Sequence, residues 1–195
     1  TWVGYHGEAE TNDFLAAQRL LSRLGRDAHS IQGLPVMKTL GARDALILPR
    51  RQLRFTPGQV KELLGWVEKG GLLIAEGTFA EDPDSDRVND PLFKALGVRM
   101  VRNGLKAPAY QKDEDFKDYD KRKADFEREH GVEEITINDL PCRVDLGAYD
   151  QLEDLDGSDG KSKLRGIQRG KGYCFLFTHI TALDNRDLDR EDHAD

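Results

Sequence analysis

Thr56-Pro57-Gly58-Gln59-Val60-Lys61-Glu62-Leu63-Leu64-Gly65-Trp66-Val67-Glu68-Lys69-Gly70-Gly71-Leu72-Leu73-Ile74-Ala75-Glu76 is the stretch on which the fold turns. Thr56 supplies an N-cap, Pro57 a first helical residue whose missing N–H costs nothing there, and Gln59 the second half of a capping box. Val60, Leu63, Leu64 and Val67 recur at i, i+3, i+4 and i+7, one apolar face of a helix. Gly70-Gly71 stops it, and Leu72 to Glu76 follows as an apolar strand. Upstream, Ala45 to Leu48 is the kind of short apolar run that strands buried on both faces show, closed by Pro49. Strand, helix, strand in this order predicts a right-handed parallel crossover.

Working outward toward the N-terminus, Trp2 to Tyr5 reads as the end of a strand. Thr11 or Asn12 then caps a helix with Phe14, Ala17, Leu21 and Leu24 on one face, ended by Gly25. Ala28 to Ile31 is read as a short strand. Toward the C-terminus, Asp82 to Asp90 is a polar loop, Asp90-Pro91 starts a short helix ending near Gly97, and Val98 to Val101 is a strand. Residues 112–129 are nearly all charged, so 111–131 is expected as a charged insertion, an exposed helix or a mobile segment. Glu134 to Ile137, Cys142 to Leu146, Leu164 to Gln168 and Tyr173 to Thr178 read as strands, the last two joined at Gly170-Lys171-Gly172. The expectation is one α/β domain over residues 1–195 with an open, mostly parallel sheet flanked by helices, flavodoxin-like in outline. Its β-rich C-terminal half is expected to extend the same sheet.

Composition narrows the function classes. With 195 residues, 33% charged and a net charge of -7, the surface is acidic, which argues against nucleic acid as a partner. No run approaches the ~18 apolar residues of a membrane span. The chain opens at Thr1 and closes on Asp187 to Asp195, which reads as the first turns of a helix. It is therefore expected to be a fragment of a longer protein, with any membrane segment outside it. Cys142 and Cys174 are expected as free thiols, Cys174 within a core strand.

No G-x-G-x-x-G or G-x-x-x-x-G-K-[ST] loop occurs, so phosphate transfer is not expected. No G-x-S-x-G elbow occurs either. The histidines His6, His29, His130, His179 and His193 are scattered, so neither a metal site nor a cofactor is expected. Asp82, Asp84 and Asp86 start like an EF-hand loop, but Arg87 and Phe93 stand where Gly and Glu are needed.

Two clusters remain as ligand-binding candidates. His6, Glu8 and Asn12 lie between the first strand and first helix, where open α/β sheets bind ligands, although helix capping by Thr11 and Asn12 with Glu8 and Glu10 favoured by the helix dipole is the simpler account. Asp184, Asn185, Asp189 and His193 form the second, with Asp189 and His193 on one helical face and exposed ion pairs as the competing account. Glu76 and Thr78, at the end of the best-defined strand, complete the rim of the same crevice.

Gly7-Glu8-Ala9, Asn12-Asp13-Phe14 and Ala16 to Leu21 leading to Leu24-Gly25 resemble a bacterial family known as domain of unknown function 4350. Asp44 to Pro49, Leu64 to Gly71 with Trp66-Val67-Glu68, and Asp184-Asn185 through Asp192-His193-Ala194 extend the likeness, which covers 4–79 well and 164–194 moderately. The resemblance implies a fold like that of class I glutamine amidotransferases, in a protein tethered by a transmembrane helix, this domain facing outward. It also implies a protein partner in a membrane-associated complex, with a link to MoxR-type ATPases. The glutaminase cysteine elbow is missing, since the turn after Glu76 reads Gly77-Thr78-Phe79, so glutamine hydrolysis does not carry over. The leading expectation is a non-catalytic binding or interaction domain. The alternative is a hydrolase or amidase-like enzyme using carboxylates or histidine in the crevice.

Overall fold

The computed structural model describes residues 12–31, 39–49, 55–77, 90–137, 139–158 and 160–180. Its centre is the stretch quoted first. Strand β1 (Ala45–Leu48), helix α2 (Pro57–Glu68) and strand β2 (Leu72–Glu76) form the parallel unit, β1 pairing β2 from Ala45↔Leu72 to Leu48↔Ala75. The Thr56 side chain accepts from the Gln59 N–H and the Gln59 side chain accepts from the Thr56 N–H, so the capping box is complete. Val60, Leu63, Leu64 and Val67 are all buried, as their spacing predicts. Gly71 is needed for contact rather than for a turn: a Cβ there would stand 2.4 Å from the Trp66 indole, whose Nε1 donates to the Gly41 carbonyl at 2.8 Å.

The sheet is completed from the other end of the chain. Strand β8 (Gly172–Phe177) pairs parallel to β2, and β7 (Leu164–Arg169) pairs antiparallel to β8, giving the order β1-β2-β8-β7. Leu73, Ala75, Cys174 and Leu176 are fully buried and share the core with Leu63 and Val67. Tyr173 and Phe175 project from the opposite face, both exposed and stacked at 6.5 Å.

The second half departs from the expected single sheet. Strands β3 (Val98–Arg102) and β6 (Asp150–Asp154) form one antiparallel pair, β4 (Val132–Ile137) and β5 (Leu140–Asp145) another. Only β7 and β8 join the parallel sheet. The tight turn between β4 and β5, in which Asp139 takes φ 66°, makes them a local antiparallel hairpin, whereas β3 and β6 pair across the whole β4–β5 segment. Helix α3 (Pro91–Ala95) starts where Asp90-Pro91 predicts, with the buried Asp90 carboxylate accepting from the N–H groups of Leu92 and Phe93.

The charged stretch is helix α4 (Phe116–Gly131), capped by Asp115. Its last carbonyls, of His130 and Gly131, accept from the buried Lys163 ammonium, which also faces Glu133 at 3.6 Å. A lysine is thus buried because a helix C-terminus and a carboxylate offer it acceptors. Two further expectations need correction. Ala28–Ile31 is irregular rather than a strand, and in α1 (Leu15–Arg23) the buried residues are Leu15 and Ala17, with Leu24 exposed. Among the described residues no helix is long and apolar enough to cross a membrane. Cys142 and Cys174 are not joined to each other by a disulfide.

Candidate functional site

Glu76 is the last residue of β2, and the parallel pairing sets it beside Phe177, two residues before His179. The β3–β6 pairing sets Arg102 opposite Asp150. These pairings converge at the carboxyl end of the parallel sheet, and there His179 bridges two buried carboxylates. Its Nε2 lies 3.0 Å from Asp150 Oδ2 and its Nδ1 3.3 Å from Glu76 Oε1. Arg102 Nε stands 3.7 Å from the other oxygen of Asp150.

The surroundings hold the ring in place. Thr178 is fully buried and its hydroxyl donates to the Leu146 carbonyl at 2.6 Å, fixing the chain one residue before the histidine. Gly147, at φ +81°, lies against the imidazole: a Cβ there would stand 2.2 Å from its Cδ2. Glu76 and Asp150 are only 6% and 5% exposed, while the His179 side chain is 35% exposed.

Two charged acceptors on one imidazole stabilise its protonated form. Hydrogen bonding to Asp150, then to Glu76, outweighs desolvation and raises the His179 pKa from 6.5 to about 9. The residue is therefore an imidazolium at neutral pH, with both N–H groups donating and no lone pair to accept a proton. In that state it is no general base. The two carboxylates take opposite sides of the ring, so they do not converge on one metal position, and among the described residues no cluster of three metal-ligating side chains occurs. Cys174, the core thiol, is pushed up to about 11 by burial, which keeps it protonated.

Of the residues singled out in the sequence, Glu76 belongs to this cluster. Asn12 has a local role: its Oδ1 accepts from the Phe14 N–H at 3.1 Å and its Nδ2 donates to Gln18 Oε1 at 3.0 Å, at the entrance to α1. His6, Glu8, Thr78, Asp184, Asn185, Asp189 and His193 lie outside the described residues, as does the Asp82, Asp84, Asp86 run. Sequence reasoning missed His179, Asp150 and Arg102. A histidine two residues beyond the most apolar C-terminal strand was the available signal; Asp150 carried none, because β6 was not recognised as a strand.

No protein-family model matches the chain, and no curated protein matches it. Among solved structures it is similar to the mmIFT52 N-terminal domain, with a TM-score of 0.60 at 13% identity, covering 94% of this chain and 86% of that one. That likeness shows a shared α/β fold. An exo-beta-1,4-mannosidase, Op5Man5 from Opitutaceae bacterium strain TAV5, aligns with a TM-score of 0.47 at 15% identity over 90% of this chain and 29% of its own, and bears on neither fold nor function.

Proposed function

We propose that this chain is a non-catalytic binding or protein-interaction domain of a membrane-anchored bacterial protein, arranged like a class I glutamine amidotransferase and facing outward. Its partner surface is the carboxyl end of the parallel sheet. The observation that carries the reading is the closure of the titratable cluster there on itself. An acid–base residue must present one nitrogen to a substrate or nucleophile, and His179 presents neither, since Asp150 and Glu76 occupy both. The turn after Glu76 also lacks the cysteine that glutamine hydrolysis would need. The resemblance to domain of unknown function 4350 supports the membrane tether and a partner within a membrane-associated complex, to which a MoxR-type ATPase is linked in this proposal.

The test is an assay of the purified chain for ammonia release from glutamine and for hydrolysis of p-nitrophenyl acetate, beside His179→Gln. Rates equal to buffer for both proteins are expected. Turnover by the parent chain that disappears in His179→Gln would replace this reading with the hydrolase one.

A further inference from the structure

Helix α4 and the β4–β5 hairpin form a unit that the core does not reach. Of the residues in α4, β4 and β5 whose burial is described, only Gly131 is buried, and none belongs to the central hydrophobic cluster. Neither strand pairs with the parallel sheet or with β3–β6. A lone two-stranded hairpin and a helix without a buried apolar face are each marginal in water, so this unit owes its order to its attachment. The segment leading into α4 goes with it. Arg122 donates to Glu114 Oε1 from Nε at 3.0 Å and to Oε2 from Nη2 at 2.7 Å, and Nη2 also donates to the Ala109 carbonyl.

The attachment lies where α4 ends. Lys163, buried on the body side, donates to the His130 and Gly131 carbonyls and faces Glu133 at 3.6 Å. A carbonyl in the last turn of a helix has no later N–H to bond, so Lys163 takes the place of water there. The same end of α4 meets the chain that leaves β5. The Leu146 N–H donates to the Gly131 carbonyl at 3.1 Å, and a Cβ on Gly131 would stand 2.8 Å from Asp145 Oδ1. Asp145 Oδ1 in turn accepts from the Gly147 N–H at 2.9 Å, and Gly147 is the residue that lies against the His179 ring. We propose that residues 109–145 are an arm that opens and closes as one unit on an intact body, that Lys163 is its latch, and that the closed arm seats the Gly147 turn against His179. Opening exchanges the latch bonds for bonds to water and uncovers little apolar surface, which keeps the open state within reach of the folded protein. The state of the arm thereby reaches the carboxyl end of the sheet through Asp145 and Gly147. Nothing in this inference depends on whether that end of the sheet is catalytic.

Amide hydrogen exchange of the full chain, read peptide by peptide by mass spectrometry in urea below the unfolding transition, tests the proposal on the parent protein. Peptides of α4, β4 and β5 are expected to exchange together, through an opening at least ~10-fold more frequent than the one that exposes β2 and β8. A single opening common to all five elements, or α4 exchanging apart from β4 and β5, would overturn the arm. In Lys163→Met the arm peptides are expected to exchange a further ~10-fold faster, the peptide holding Gly147 with them, while β2 and β8 stay as in the parent. Unchanged exchange in the arm, or acceleration spread equally over the chain, would remove Lys163 as the latch. A Gly147 peptide that keeps its parent rate while the arm speeds up would sever the link to His179. The half-exposed Glu133 gives a second variant should Lys163→Met not fold: Glu133→Gln is expected to accelerate the arm peptides alone, and equal rates would again remove the latch. None of these outcomes touches the non-catalytic reading, which stands or falls on the hydrolysis assay.

Discussion

Gly147 and His179 show how one backbone position can fix a charged site. The φ of +81° at Gly147 is a conformation that side chains rarely adopt, and the space a Cβ would take is filled by the imidazole. Gly147→Ala is therefore expected to lose about 2–4 kcal/mol, from backbone strain and displacement of the ring together. Urea unfolding measures the loss, and an unchanged midpoint would mean that the ring is not held there. Neither residue stands out in the sequence. A lone histidine and a lone glycine in a loop have many structural uses, and their meeting depends on chain segments more than thirty positions apart. Glu76 was legible, because it ends a strand whose boundaries are marked locally by Gly70-Gly71 and Gly77.

At the scale of elements, the best-read one is α2. Its cap, first-turn proline and apolar spacing are all encoded within a dozen residues, so no tertiary contact is needed to place them. The capping box joins two reciprocal hydrogen bonds, and Thr56→Ala is expected to cost about 1 kcal/mol, a fall in melting temperature of roughly 2–4 °C for a chain of this size. A thermal melt followed by circular dichroism decides it; an unchanged midpoint would show that packing of Leu63 and Val67 alone sets the helix start. β6 marks the opposite case. Asp150–Asp154 is acidic and polar, with only Leu152 fully buried, so its alternation gives almost no strand signal. It is a strand because Arg102 to Val98 lies alongside to pair with it. Ala28–Ile31 shows the converse error: read as a strand although polar His29 and Ser30 separate its two apolar residues, it forms none.

Across the whole molecule, His179 ties the end of β8 to β2 and β6, and thus the parallel sheet to the β3–β6 pair. Because the histidine pKa is raised from 6.5 to about 9 on folding, its contribution is present in full below pH 6.5 and is lost as the pH rises through about 9. With a third of the ring exposed, solvent screening reduces that contribution to about 1–2 kcal/mol. The unfolding free energy of the parent chain, from urea melts, is expected to fall between pH 6 and pH 9.5, and that of His179→Gln to fall less by this amount. Equal pH dependence in the two proteins would show that the bridge adds nothing to stability. The sequence by itself determined the β1-α2-β2 unit, the α3 start, the β7–β8 hairpin and the acidic surface, since each is written in residues close enough to interact before the chain folds. Only the tertiary structure decided that the C-terminal half splits into separate sheets, and that Glu76, Asp150 and His179 meet. Pairing between distant segments sets the β3–β6 sheet and the meeting of the three side chains, and it leaves no local periodicity to read; β4–β5 is a local hairpin, and nothing within it marks that it stays apart from the parallel sheet.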